Sequence, residues 1–246
     1  MKIFKTTLLI LSFFGMMACE NLLEPQLDGT LNEDGIWKNN ARAFGFLNNA
    51  YNNLPSGYNR ISGTMLEAAT DDAVCPDPLN PVHGFYNGGW SPYNVIDNVW
   101  SRNFEGIRKV NTFLTRIDSV PLIKSSNELG TDETILRTRA RMKGEAYFLR
   151  AFFYFELVKR YGAVPLVEMP LTPQEANALE RSTADACFQF ILDDCDSAAA
   201  RLPAKYGTTP VVIGYNDAKE IGRATKGAAM ALKARALLYW ASPLFN

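Results

Sequence analysis

The chain has 246 residues, 47% of them hydrophobic and 21% charged, with a formal net charge of −1. This is the composition of a folded globular chain long enough for a sizeable core, and it excludes a disordered, collagenous or coiled-coil polypeptide. A charge so close to zero leaves no electrostatic footprint for nucleic acid or an acidic membrane surface.

The N-terminus carries Lys2 and Lys5, followed by the short apolar run "TTLLILSFFGMM" at residues 6–17. A bilayer span needs about 20 apolar residues, so a shorter run behind basic residues reads as an export signal peptide, here residues 1–18. The run ends at Ala18-Cys19. A small residue before a cysteine suits a bacterial lipoprotein junction, where the cysteine is lipidated and becomes the first mature residue. Several acyl chains on one sulfur hold firmly, at about 0.8 kcal/mol per buried CH₂. Met16 and Met17 fit that pattern loosely, so on these residues alone a plain signal peptide cleaved nearby stays open. Residues 19–35 are polar and punctuated by Pro25, Gly29 and Gly35, and read as a tether.

Residues 32–53 place Ile36, Ala43, Phe44, Leu47, Ala50 and Tyr51 at helical spacing, behind an acidic start at Glu33 and Asp34. Residues 64–69 suit a short helix or strand. In "TDDAVCPDPLNPVHGFYNGGWSP", residues 70–92, prolines and glycines recur too often for a regular element. A loop of this length in a compact domain is functional or disordered, and Phe85, Tyr86 and Trp90 argue against disorder. Helices follow at residues 94–120, 131–161, 184–201 and 223–241, with breaks at Pro121, Gly162, Pro203 and Pro243.

The expected fold is therefore mainly α, with long irregular loops. Its helices pair antiparallel, 94–120 with 131–161 and 184–201 with 223–241. Gly144 with Ala140 and Ala151, and Gly227 with Ala231 and Ala234, put small residues where helices approach, as in tetratricopeptide repeats. The aromatic run from 147 to 155 reads as core. Arg139, Arg141, Lys143, Glu145, Arg150 and Glu156 read as a solvated face with local ion pairs, or alternatively as a polar contact with a partner.

Three cysteines remain beside Cys19: Cys75, Cys187 and Cys195. The last two are about 12 Å apart along one predicted helix, too far for a disulfide, so all three read as buried or idle thiols. Asp71, Asp72 and Asp77 read as turn residues. His83 stands alone, without the further ligands a metal needs. No nucleotide, nucleophile-elbow or metal motif is present, so no catalytic residue, metal or cofactor is expected.

The loop at residues 81–90 is the ligand candidate. Sugar rings stack their C–H faces on aromatic planes, while amide side chains bond the hydroxyls. Trp90, Tyr86, Asn87, Phe85 and His83 offer that mixture. The competing reading is that Trp90 and Phe85 pin the loop to the core.

Several segments together resemble one family. "RMKGEAYFLRAFFYFELVKRYGAVPLV" (141–167), "GRATKGAAMALKARALLYWASPLFN" (222–246), "VWSRNFEGIRKVNTFLTRI" (99–117) and "ACENLLEP" (18–25) resemble the SusD/RagB family of Bacteroidetes outer-membrane nutrient-binding lipoproteins. The resemblance implies that Cys19 is the lipidated residue and that the protein is exposed on the cell surface. It implies a SusD-like fold of tetratricopeptide-like helix pairs, and a binding protein rather than an enzyme. Such proteins capture glycans, or in some members peptides, and deliver them to a SusC-like TonB-dependent outer-membrane transporter. The other reading of the residues is an exported helical-repeat scaffold that binds protein partners. Two departures stand out. Trp240 replaces the small residue usual before "ASPLFN", and the chain stops at Asn246, after a motif the family places near mid-protein. Residues 36–246 are therefore expected to form an N-terminal portion of the family fold. Its last helix is expected to expose apolar surface.

Overall fold

A computed structural model describes residues 33–55, 58–121, 132–208 and 216–245. The expected signal peptide, Cys19 and the expected tether up to residue 32 lie outside the described residues. Among the described residues there are seven α-helices: α1 (Glu33–Trp37), α2 (Asn40–Tyr51), α3 (Trp100–Arg116), α4 (Asp132–Tyr161), α5 (Pro173–Asn177), α6 (Ala184–Arg201) and α7 (Lys226–Trp240). No strand occurs among them, only isolated bridges between Ile61 and Thr64 and between Ser91 and Asn94. No described helix is long and apolar enough to cross a membrane.

The mainly helical expectation holds, and local chemistry corrects several boundaries. The first expected helix is two, because Asn39 is extended and caps α2, its Oδ1 accepting from Arg42 N at 3.1 Å. The third begins at Trp100 rather than residue 94. Ser91 Oγ accepts from Asn94 N at 3.1 Å, and Asn98 Oδ1 accepts from Trp100 N at 3.1 Å, which holds the intervening residues in turns. The proline-rich loop is not wholly irregular. It contains the short 3₁₀ helix Pro81–Phe85, and just before it residues 64–69, expected as a short helix or strand, hold another at Leu66–Ala69. Pro81 suits a first helical position, and Asn80 Oδ1 caps it by accepting from Val82 N at 3.0 Å.

The expected pairs α3 with α4 and α6 with α7 both pack, and the most extensive packing, between α4 and α6, joins them. From Arg141 to Val158 α4 is the central helix, with Met142, Leu149, Phe153, Tyr154 and Leu157 fully buried. Each such side chain contributes roughly 1.5–3 kcal/mol by leaving water. Gly106 lets α3 approach α4: a Cβ there would sit 2.5 Å from the Phe153 ring. At Gly144 a Cβ would come within 2.9 Å of Leu202. Gly227, expected to serve the same purpose, is not at a close approach: a Cβ there would meet only Thr225 Oγ1, at 3.8 Å.

The charged side of α4 is only in part the solvated face expected: Arg139 and Lys143 stay half-buried beside the exposed Asp118, and the other four residues are enclosed. Arg141 and Glu145 are 0% exposed, and Arg150 and Glu156 are almost as buried. Arg150 makes a two-pronged bond to Asp194 on α6, Nε to Oδ2 at 2.7 Å and Nη2 to Oδ1 at 2.8 Å, and also donates to Asn111 Oδ1 on α3 at 2.8 Å. Glu145 pairs with Arg141 and accepts from Tyr51 Oη at 2.8 Å and Arg223 Nη1 at 3.0 Å. These groups tie α2, α3, α6 and the approach to α7 onto one helix. Periodicity could not show this, because a buried ion pair and a surface one read alike in sequence.

Trp240 also finds a reason. It stacks on Phe188 at 5.7 Å between ring centres, and its Nε1 donates to Asp185 Oδ1 in the first turn of α6 at 2.8 Å. On its other side α7 exposes Met230, Leu237 and Leu238, as expected of the last helix.

Candidate functional site

The loop at 81–90 is built from its own side chains. His83 Nε2 lies 2.8 Å from the Asp77 carbonyl oxygen, and its Nδ1 bonds the Tyr86 hydroxyl. A carbonyl only accepts, so Nε2 carries the proton and Nδ1 accepts from Tyr86. Asn87 Oδ1 accepts from Gly89 N at 2.9 Å, and Gly88, at φ +82°, turns the chain between them. Gly84 O accepts from Trp90 N at 3.1 Å. Beneath lies a small apolar cluster of Ile61, Ala68, Cys75 and Val82, with Phe85 and Ile96 against it.

Phe85 is therefore partly an anchor, as the competing reading had it. Trp90 is not: it is 57% exposed and meets Phe85 edge to face at 5.2 Å. Both line a cleft of about 800 Å³ together with Ser91 and Pro92. The rest of that cleft comes from residues that sequence reasoning did not single out for ligand contact: Val95, Asp97, Asn98, Trp100, Arg160, Tyr161 and Arg181. His83, Tyr86 and Asn87 do not line it; they shape the loop that does. Tyr86 is half exposed beside His83.

Helix ends position the second group. Trp100 opens α3 and Tyr161 closes α4, and their rings meet edge to face at 5.2 Å. The Tyr161 hydroxyl accepts from Val99 N at 3.0 Å and donates to Asn98 Oδ1 at 3.0 Å, which fixes the turn entering α3. Arg160 donates to Asp97 Oδ2 from Nε at 2.8 Å and from Nη2 at 2.6 Å, and Arg60 pairs with the same oxygen. The missed residues carried one readable signal. Trp100 and Tyr161 are aromatics at helix termini, where a side chain can face a loop rather than a helical neighbour.

Aromatic rings beside amide and guanidinium donors can hold a polyhydroxylated ring by stacking and hydrogen bonding. The only carboxylate among the described lining residues is Asp97, engaged by two arginines. Acid–base cleavage of a glycoside needs two carboxyl groups facing one cleft. Asp77 Oδ1 accepts from Leu79 N at 3.0 Å in a turn, and no group of His, Cys, Asp and Glu among the described residues could hold a metal ion.

A small apolar groove of about 290 Å³ lies on from the cleft and shares Trp100 with it. Its lining includes Phe104, Ile107, Pro165 and Val167.

The sequence pattern of the SusD-like family, described as starch-binding and associating with the outer membrane, matches residues 45–238. A SusD-like protein of Formosa agariphila is 27% identical over 209 residues, covering 82% of this chain and 39% of that one. The crystal structure of a SusD-like protein from Bacteroides fragilis is 31% identical with a TM-score of 0.67, over 85% of this chain and 36% of that one. A laminarin-binding SusD-like protein is 26% identical with a TM-score of 0.64, over 82% of this chain and 41% of that one. The chain thus spans about two-fifths of the length of these relatives. The family pattern covers most of the chain and the helical fold agrees with it, so the chain belongs to the SusD-like family.

Proposed function

We propose that the chain binds a nutrient glycan at the cell surface, through the cleft between the 81–92 loop and the ends of α3 and α4. The carrying observation is the exposed Trp90 ring beside Phe85, across a cleft that also holds Trp100 and Tyr161. An exposed tryptophan is costly to solvate and suits a sugar face. The laminarin-binding relative supports the ligand class. Anchoring through Cys19 in the outer membrane and delivery to a SusC-like TonB-dependent transporter complete the reading. These rest on the family and on the residue 1–19 pattern. The role is binding and not catalysis.

Trp90→Ala tests it. Affinity for a bound glycan, read by titration calorimetry after a glycan-array screen, falls about five- to thirtyfold, in line with losing one aromatic contact of roughly 1–2 kcal/mol. The melting temperature stays nearly unchanged, because the ring is largely in solvent already. A large loss of stability with unchanged affinity would sink the assignment and return Trp90 to a structural role.

A further inference from the structure

We propose that the glycan taken by this cleft carries an oxyanion, a uronate carboxylate or a sulfate ester, and that Arg181 is the residue that reads it. The inference rests on the glycan-binding reading above.

The charges around the cleft do not cancel. Arg60 and Arg160 both bond Asp97, and Arg160 and Lys159 both bond Glu156. Among the described lining residues the one carboxylate, Asp97, faces two cations, Arg160 and Arg181, and Arg60 behind it takes a share of the same oxygen. Arg181 lines the cleft and is exposed, and no carboxylate among the described residues lies within ion-pairing distance of it. Its bonds go from Nη1 alone to the carbonyl oxygens of Tyr161 at 3.3 Å and Ala163 at 3.2 Å. The Tyr161 carbonyl ends α4, where the helix dipole is negative, and the Ala163 carbonyl lies just beyond it, so the two hold the guanidinium in place without neutralising it. Nε and Nη2 remain as donors. A guanidinium fork fits a carboxylate or sulfate with two parallel bonds. Holding one side of the fork beforehand lowers the ordering cost of binding. The surplus is local, because the whole chain carries a net charge of −1. A neutral glycan needs no such surplus.

The test compares three probes of similar length on the purified full chain in detergent: a neutral laminari-oligosaccharide, an oligogalacturonate and a sulfated galactan oligosaccharide. Each is titrated at low and high salt against wild type, Arg181→Gln, Arg181→Lys and Trp90→Ala. The expected result is tighter binding of at least one anionic probe, weakened by salt. Arg181→Gln loses about ten- to a hundredfold on that probe, the worth of a charge-assisted hydrogen bond, and nothing on the neutral one. Arg181→Lys keeps the charge without the fork and falls between. Which anionic probe responds decides between carboxylate and sulfate. Melting curves show whether Arg181→Gln disturbs the end of α4, and if it does, Arg181→Lys and the salt dependence still discriminate. Equal binding of neutral and anionic probes, with Arg181→Gln silent and Trp90→Ala weakened, overturns the charge inference and leaves the glycan reading standing. No binding of any probe overturns both.

Discussion

Helices α3, α4 and α6 share one continuous apolar cluster, with Phe113, Phe153, Tyr154 and Phe188 fully enclosed and a buried arginine–aspartate pair across it. Residues 58–99 gather only Ile61, Ala68, Cys75 and Val82 around a small centre of their own. The rest of that segment is held by amide and imidazole side chains bonding nearby hydroxyl and backbone groups: Asn80 Nδ2 to Thr64 Oγ1 at 2.8 Å, Asn94 Nδ2 to Gly89 O at 2.7 Å, His83 to the Asp77 carbonyl. Burial makes the first region stable, and local hydrogen bonding gives the second a shape. The exposed aromatic faces sit on the second, where no packed neighbour competes for them. The difference teaches where a ligand surface can be placed without weakening the core.

The comparison breaks most severely at Arg150. Arg150→Ala leaves the Asp194 carboxylate buried without either of its charge-assisted bonds, a loss of about 3–5 kcal/mol. Urea denaturation should show it. Combining Arg150→Met with Asp194→Leu removes both charges and recovers most of that loss, since an apolar pair of similar size is close to neutral in place of a buried ion pair. If the double variant is as unstable as the single one, the pair is not what joins α4 to α6.

Next in size is the glycine contrast. Gly106→Ala forces a methyl into the Phe153 ring and should cost about 1–3 kcal/mol. Gly227→Ala meets only Thr225 Oγ1, at an ordinary contact distance of 3.8 Å near the start of α7, and should be neutral or stabilising by up to about 1 kcal/mol. Equal effects at the two positions would mean that both helices pack closely there, contrary to the structure.

That pair also shows what sequence could reveal. Period 3.6 located α3, α4, α6 and α7, because apolar residues on one side of a helix must face a core. It could not say which glycines lie at crossings, since Gly106, Gly144 and Gly227 look equivalent until the neighbour is known. Nor could it separate buried charges from solvated ones: Arg150 needs Asp194, a residue 44 positions away, to be explained. At the site, composition pointed to the loop and to Phe85 and Trp90. It also named His83, Tyr86 and Asn87, whose polar groups bond within the loop and which do not line the cleft. It missed Trp100, Tyr161 and Arg181, which reach the same cleft only because two helices end beside it. Local pattern records which residues could bind, and tertiary placement decides which of them share a surface.

The mildest probe of the comparison substitutes no residue in either region, because each carries its own free thiol. Cys75 lies in the small loop cluster, and Cys187 and Cys195 lie on α6 in the core. Burial pushes both core thiols up, Cys195 to about 12, helped by the neighbouring Asp194 and Asp196 charges. A raised thiol yields little thiolate, the reactive species, in the folded state. Bringing the pH up to the ordinary thiol range of about 8.5 therefore speeds labelling of unfolded chains while leaving folded Cys195 inert. In a chain without residues 1–19, Cys75 should react by local opening at a rate insensitive to low urea, and the core thiols only as fast as global unfolding allows. Mass spectrometry of timed samples separates the three sites. Labelling of all three at one urea-dependent rate would show the loop and the core opening together, and the loop would then be part of the cooperative core rather than a surface shaped by its own hydrogen bonds.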